Sequence, residues 1–571
     1  MRAHNVLWAG TLLWGTLIGL GGESSAQSPM PIRLNDVAAE AGVTLLNVSG
    51  GPNKDFILKV AGSGAAFFDY DNDLDMDLLL INGSTFENMR QGGDPMLVLY
   101  LNQGNGKFSD VTSQSGLGKK GWGMGVCVAD YDNDGFQDFY VTAYGPNVLF
   151  HNNGDGTFSE LTQQAGVGGG FHWSTSCAFG DYDRDGDVDL YVANYAVQDE
   201  KTTPKPGTSS FCRYRGMDVA CGPQGLPGEP DVLYRNNADG TFTDVTHSAG
   251  INDPGYYGFG VIFGDLNHDG WPDLYVANDL NPNFLFRNNQ DKTFTEIAVE
   301  AGAAFSESGA PQAGMGLAMG DFNQDGSMDI FVTNFSRDTN TLYQNNGDGS
   351  FLAVTHEVGL GASSMPYVGW GTGLVDLDND GFLDLFVANG HIYPQIDRFQ
   401  LGSTFFQRNQ LYRNLDGWFF QEIKAENGDA LGVEMSSRAT AFADYDNDGD
   451  LDILITNLDD RPNLLRNESD NKNHWLTLQM VGTQSNRDAI GAQITAQVGD
   501  RVLIAEVQSG GGFLSHNDSR VHFGLGDNTQ VRRLEVRWPS GLVEVFENVE
   551  ADQFLLIREG DQSGGVERSL P

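Results

Sequence analysis

Seven times this chain repeats a nine-residue stretch whose side chains could hold a hard divalent cation. The pattern is Asp-x-Asp/Asn-x-Asp-Gly-x-x-Asp, which places carboxylate or amide oxygens at positions 1, 3, 5 and 9 of one tight turn. The first copies use Asp69, Asp71, Asp73 and Asp77, then Asp130, Asp132, Asp134 and Asp138, then Asp181, Asp183, Asp185 and Asp189. The fourth and fifth use Asp265, Asn267, Asp269 and Asp273, then Asp321, Asn323, Asp325 and Asp329. The last two use Asp376, Asp378, Asp380 and Asp384, then Asp444, Asp446, Asp448 and Asp452. Glycine at position 6 lets the backbone turn sharply and present a carbonyl beside these oxygens. Hard oxygen donors in this density suit Ca²⁺, up to seven ions in all.

The EF-hand uses a similar opening but requires a bidentate Glu at position 12 and a following helix. Here position 12 is Leu80, Val141, Val192, Val276, Val332, Val387 or Ile455, each inside an apolar, strand-like run. The EF-hand is thereby excluded, and position 9 must supply the late carboxylate. Asx-turns without any metal are the alternative. They leave unexplained why three to five like charges crowd into nine residues. The first copy departs from the pattern with Leu74 at position 6, and Asn267 and Asn323 lower the ligand charge of the fourth and fifth. The loops offer no general base, so the ions are read as structural staples.

Each loop is embedded in a larger repeat of four strands. A short apolar segment such as Gly123–Val128 precedes it, and a β-branched and aromatic strand such as Leu190–Asn194 follows. A further strand ends in a Gly-rich turn, as in Asn147–Gly156, and a Phe-x-Asp-Val-Thr strand closes the unit. Loop starts lie 51 to 84 residues apart. Four-strand units repeated on this scale predict an all-β, seven-bladed β-propeller over residues 32–467. The seventh unit has no closing strand after Asn467, whereas an unattached Leu34–Val37 stands near the N-terminus. The ring is therefore expected to close by pairing that strand into the last blade, which removes the open edges.

Two blades carry inserts, at Asp199–Asp231 and at Gly390–Arg408, and such loops on a rigid scaffold are natural binding surfaces. Beyond Asn467 the pattern changes to alternating strands with turns at Gly510–Gly512 and Pro539–Gly541, read as a small separate β-sandwich-like domain over 474–558 with a disordered tail at 560–571.

Composition bounds the function. The 571 residues carry a formal charge of −44, with 29 of the 77 acidic residues in the loops. That charge disfavours nucleic acid as a partner. Residues 1–26 read as a signal peptide: Arg2 and His4 precede an apolar run from Val6 to Leu20, and small residues at Ser24 and Ala26 fit cleavage after Ala26. No other segment is long and apolar enough to be a transmembrane helix. The mature protein is therefore expected to be periplasmic or secreted, where Cys212 and Cys221 would form a disulfide within the first insert. Cys127 and Cys177 lie in apolar strands and are expected to be buried free thiols. His391 and Tyr393 could line a ligand site or pack a loop, and Ser515–His522 is read as a hydrogen-bonded turn.

The seven loops with their Phe-x-Asp-Val-Thr strands resemble FG-GAP/VCBS repeats, the type found in integrin α-subunit propellers. The segments Gly510–Gly526 and Val536–Gly541 look like the ASPIC/UnbV domain. Together they resemble the cartilage acidic protein family in a bacterial exported form. The resemblance implies a secreted, Ca²⁺-binding propeller used for adhesion to a protein or carbohydrate ligand, with no established catalysis, and it carries the Ca²⁺ ligands onto the loop positions named above. The alternative is a secreted propeller enzyme, a polysaccharide lyase, hydrolase or oxidoreductase working at the channel mouth. Convergence of His391, Tyr393 and charged groups in a deep axial pocket would favour it.

Overall fold

The structure is a computed structural model and describes residues 32–399, 401–425, 430–561 and 567–568. The expected signal peptide and its expected cleavage after Ala26 fall outside the described residues. Among the described residues, seven four-stranded antiparallel units follow one another, the second and third joined into one eight-stranded sheet through His172–Trp173 and Tyr144–Gly145. In the second unit the strands are Gly123–Ala129, Asp138–Gly145, Val148–Asn152 and Phe158–Glu160. The first two are buried at every residue and read as continuous apolar runs, as strands covered on both faces must. The fourth is three residues long and alternates from buried Phe158 to exposed Glu160. Burial thus falls from the inside of each sheet outward.

The first strands of successive units lie against one another in a closed cycle, the seventh returning to the first. Apolar side chains therefore meet between sheets rather than within them: Phe68, Leu79 and Val126 join the first two units, and Tyr191, Val261 and Phe263 join the third and fourth. The all-β, propeller-like architecture is the expected one. Leu34–Asp36 pairs antiparallel with Asn463–Asn467, Leu34 opposite Asn467, and so supplies the seventh unit's fourth strand.

The C-terminal residues form two four-stranded sheets, one built on a parallel pairing of His474–Val481 with Gln553–Arg558. This module packs into one compact body with the ring. Leu476, Ile494 and Trp538 share a hydrophobic core with Tyr131, Tyr140 and Leu190 of the second and third units. Its Gly510–His516 loop, whose glycines were expected to mark a turn between strands, enters the axis of the ring. Gly512 exchanges two backbone hydrogen bonds with Leu317 of the fifth unit (2.7 and 2.9 Å). The His516 N–H donates to the Ala65 carbonyl, and the Leu514 carbonyl accepts from Val126. Gly510, Gly511 and Gly512 all have positive φ, and a Cβ on Gly64 would lie 1.8 Å from the Leu514 carbonyl oxygen. Glycine on both sides lets the plug fit. In the tail, Glu567–Arg568 pairs antiparallel with Leu555–Leu556.

Candidate metal centres

Each acidic loop connects the first and second strands of its unit, so all seven emerge at the same end of the ring. Their internal bonding is uniform. The position-1 carboxylate accepts the position-5 N–H at 3.0–3.2 Å through one oxygen and the position-6 N–H at 2.7–3.0 Å through the other. Positions 4 and 6 are left-handed throughout: φ is 59° at Asn133 and 98° at Gly135. Leu74 adopts the same turn at φ 76°, so the first loop keeps its shape despite lacking glycine, at a backbone cost of about 1–2 kcal/mol.

The position-9 aspartate is the buried anchor. One of its oxygens accepts the N–H of the asparagine that ends the third strand, at 2.7–2.9 Å in all seven units. The other oxygen accepts the position-2 N–H in six of them.

The carboxylates at positions 1, 3 and 9 bring oxygens within 4.8 Å of one another in the loops that begin at Asp69, Asp130, Asp181 and Asp376. Burial, reinforced by neighbouring aspartates, pushes their protonation upward: Asp69 to about 7, Asp77 to about 9 and Asp444 to about 8. Asp189, Asp384 and Asp452 are driven well above the ordinary carboxylate range for the same reason. Clustered buried carboxylates without a cation are costly, because desolvation and mutual repulsion both oppose their charge.

At position 3 the two oxygens divide their roles. Asp183 gives one oxygen to Lys292 (2.7 Å) and Asp378 gives one to Arg413 (2.7 Å), while the other oxygen of each is buried without a hydrogen-bond partner. Asp446 likewise keeps one unpartnered oxygen. These orphaned acceptors beside the position-1 and position-9 carboxylates fit an oxygen-seeking cation. Asn267 and Asn323 instead spend their side-chain oxygen on the N–H of Asp269 (2.9 Å) and Asp325 (3.0 Å), which leaves the fourth and fifth loops poorer in free donors. In the second loop His151 lies 3.3 Å from Asp132 and 3.2 Å from Asp138, and the Asp138 carboxylate beside it lifts it to about 9.

The FG-GAP-like repeat model matches residues 69–141, 130–192, 217–276, 265–332 and 321–387, more than half of the chain, and the ASPIC and UnbV model matches 482–564. The chain belongs to the FG-GAP repeat family. The seventh loop, at Asp444, lies beyond those matches yet has the same bonding as the rest. Cartilage acidic protein 1 of Xenopus tropicalis is 29% identical over 294 residues, covering 50% of this chain and 42% of that protein. Human integrin alpha-8 is 27% identical over 248 residues, covering 34% of this chain and 22% of that protein. BBS1N, solved in complex with ARL6DN, aligns over 76% of this chain and 96% of its own at 10% identity, with a TM-score of 0.40. The chain spans about half the length of the cartilage acidic proteins it matches.

Two features of this repeat were not read from the sequence. The asparagine ending each third strand also donates its side-chain N–H to the position-2 carbonyl of the preceding unit, at 2.7–2.8 Å. Seven such bonds run round the ring, and Asn102 to Tyr445 closes it. The signal was present, since Asn102, Asn152, Asn236, Asn288, Asn345, Asn414 and Asn467 hold the same place in every unit. The C-terminal module, moreover, rests on the loops. Arg520 donates to the Asp444 carbonyl and Arg501 to the Asp380 carbonyl (both 2.8 Å), Arg184 donates to Pro539, and the Asp488 carboxylate accepts from the Asp130 N–H.

Cys212 and Cys221 are disulfide-bonded as expected. Cys127 and Cys177, expected to be free thiols, are also disulfide-bonded. They occupy the first strands of adjacent units, which pack side by side. His391 and Tyr393 of the second insert do converge, packed with Tyr214 of the first insert and with Phe335. His391 is fully buried, however, and burial holds it neutral, down at about 3. Arg438 nearby is also fully buried, stacked 4.2 Å over Trp370. Ser515 and His516 are likewise buried in the axial plug. These groups pack the axis rather than line an open mouth. Among the described residues no helix is long and apolar enough to cross a membrane.

Proposed function

We propose that this chain is an exported, Ca²⁺-braced binding module, its seven units acting as propeller blades and its ions as structural staples rather than catalytic centres. The unpartnered position-3 oxygens of Asp183 and Asp378, set among buried carboxylates, carry this reading. The loop positions named above would supply the ligands, and bound Ca²⁺ would supply the positive charge that the buried aspartates otherwise lack. The loops in turn carry the C-terminal module, so the ions would stiffen the platform on which that module and the binding surfaces stand. Membership of the FG-GAP repeat family and similarity to an integrin α-subunit support a binding or adhesion role, with a protein or carbohydrate as ligand. The burial of His391 and Ser515 supports a non-enzymatic module, because neither reaches a substrate-sized opening.

Calcium counting tests this directly. After dialysis against Ca²⁺, the purified protein should retain several ions per chain by atomic absorption. Asp189→Asn and Asp384→Asn should each remove about one. Retention of none would end the metal reading.

A further inference from the structure

We propose that Trp418 and Phe419, at the turn between the third and fourth strands of the sixth unit, form the contact point for a basic segment of a partner protein. The inference rests on the reading of the chain as a binding module and names the chemistry of its partner.

Internal comparison singles out this turn. In five other units the two residues before the fourth-strand phenylalanine are polar or glycine: Gly106-Lys107, Gly156-Thr157, Gly240-Thr241, Lys292-Thr293 and Gly349-Ser350. In four of them the hydroxyl folds back onto an aspartate of the same turn, as Thr157 does on Asp155 and Ser350 on Asp348. At the equivalent places the sixth unit carries Trp418 and Phe419. The turn is rebuilt to suit them: the other five units are left-handed at the places of Asp416 and Trp418, whereas here Asp416 and Gly417 are left-handed and the Trp418 N–H donates to the Leu415 carbonyl.

Trp418 is 82% exposed and Phe419 45% exposed. Phe419 rests partly against Gly359, so some of its surface serves the fold, but Trp418 contributes almost nothing to packing. A solvated tryptophan presents a large rigid aromatic face, the commonest kind of anchor at protein interfaces.

The surroundings select the partner's charge. Gly417 lies directly on Asn323 of the neighbouring acidic loop, where a Cβ would meet the Asn323 Cα at 2.9 Å. The turn therefore stands on the end of the ring that carries all seven acidic loops, with exposed Asp416 beside it, on a chain of net charge −44. The fourth unit shows what this position accepts: Lys292, the counterpart of Trp418, extends to Asp183 of the adjacent loop. The sixth unit carries an aromatic face where the fourth carries this cation. An arginine or lysine from a partner can stack on that face while nearby carboxylates steer it.

The test uses the full chain and a fluorescent peptide of alternating arginine and glycine. Binding is measured by anisotropy in excess Ca²⁺ and again in EGTA. Trp418→Ser should weaken binding about tenfold, the loss of one cation–π contact, while leaving the melting temperature and bound Ca²⁺ unchanged. Equal binding by wild type and variant would reduce the interaction to diffuse charge and overturn the proposal, as would no binding at all. Trp418-dependent binding of a neutral oligosaccharide, with none of the peptide, would also overturn it. The variant comparison in excess Ca²⁺ does not depend on the ion count, so this proposal and the metal reading can fail separately.

Discussion

Asn102 is where the ring closes, and removing its side chain should show how much the inter-unit bonds contribute. Its side-chain N–H donates to the Tyr445 carbonyl of the seventh unit (2.8 Å) and to the Met76 carbonyl of its own unit (3.1 Å), and its side-chain oxygen accepts the Gly104 N–H (3.1 Å). The residue is 2% exposed, so water cannot replace these partners. Asn102→Ala loses three hydrogen bonds, each contributing about 1 kcal/mol net, and strands buried carbonyls that cost about 1–3 kcal/mol more. The expected loss is about 4 kcal/mol. Asn102→Asp keeps the acceptor but loses the donors and adds charge beside buried Asp77, so it should cost at least as much. Gln103→Ala, on the exposed neighbour, should stay within about 0.5 kcal/mol of wild type. Urea denaturation in Ca²⁺ gives the midpoints. Hydrogen exchange along Asp444–Asp452 should rise in Asn102→Ala alone. An Asn102→Ala midpoint equal to that of Gln103→Ala would refute the view that this asparagine ring holds the units together.

Three further outcomes are expected. Gly64→Ala drives a methyl into the Leu514 carbonyl, so it should cost about 3 kcal/mol and speed hydrogen exchange across Gly510–His516; unchanged exchange there would contradict the axial plug. Replacing both Cys127 and Cys177 with Ala opens a 50-residue cross-link and should lower stability by about 4 kcal/mol in denaturant, whereas an unchanged midpoint would show that the link is not formed. In EGTA the stability should fall as pH rises: Asp77, Asp273, Asp329 and Asp444 are held near 8 to 9 in the fold against about 4 unfolded, so their contribution is complete below pH 4 and lost by about pH 9. Melting curves from pH 4 to 9 check this, and excess Ca²⁺ should flatten the slope.

What could be read from the sequence was local. The acidic loops declare themselves because every acidic position and both left-handed turns fall within nine consecutive residues. The unattached Leu34–Asp36 strand was legible for a similar reason, since one repeat visibly lacked a part that the chain carried elsewhere. The missed features all depend on residues far apart in the chain. Cys127 and Cys177 stand 50 residues apart and meet only across two adjacent first strands. Gly510–Gly512 has the composition of an ordinary turn, and nothing in it reveals that Gly64 and Gly316 leave axial room for it. The basic residues Arg501 and Arg520 showed no purpose until the C-terminal module was seen resting on loops whose backbone carbonyls point at them. His391 and Tyr393 met as considered, but their burial depends on how the two inserts pack together.

The central claim is that cations brace the acidic loops, and through them the ring and the module it carries. Scanning calorimetry of the full chain in EGTA and across a Ca²⁺ titration, with hydrogen exchange of residues 474–558 in both states, tests it most directly. The account predicts a transition that climbs steadily with Ca²⁺, by about 2.7 kcal/mol per site at a hundredfold excess over Kd, with slower exchange in His474–Val481 and Val521–Gly526. Superimposable melts and identical exchange in Ca²⁺ and in EGTA would contradict it.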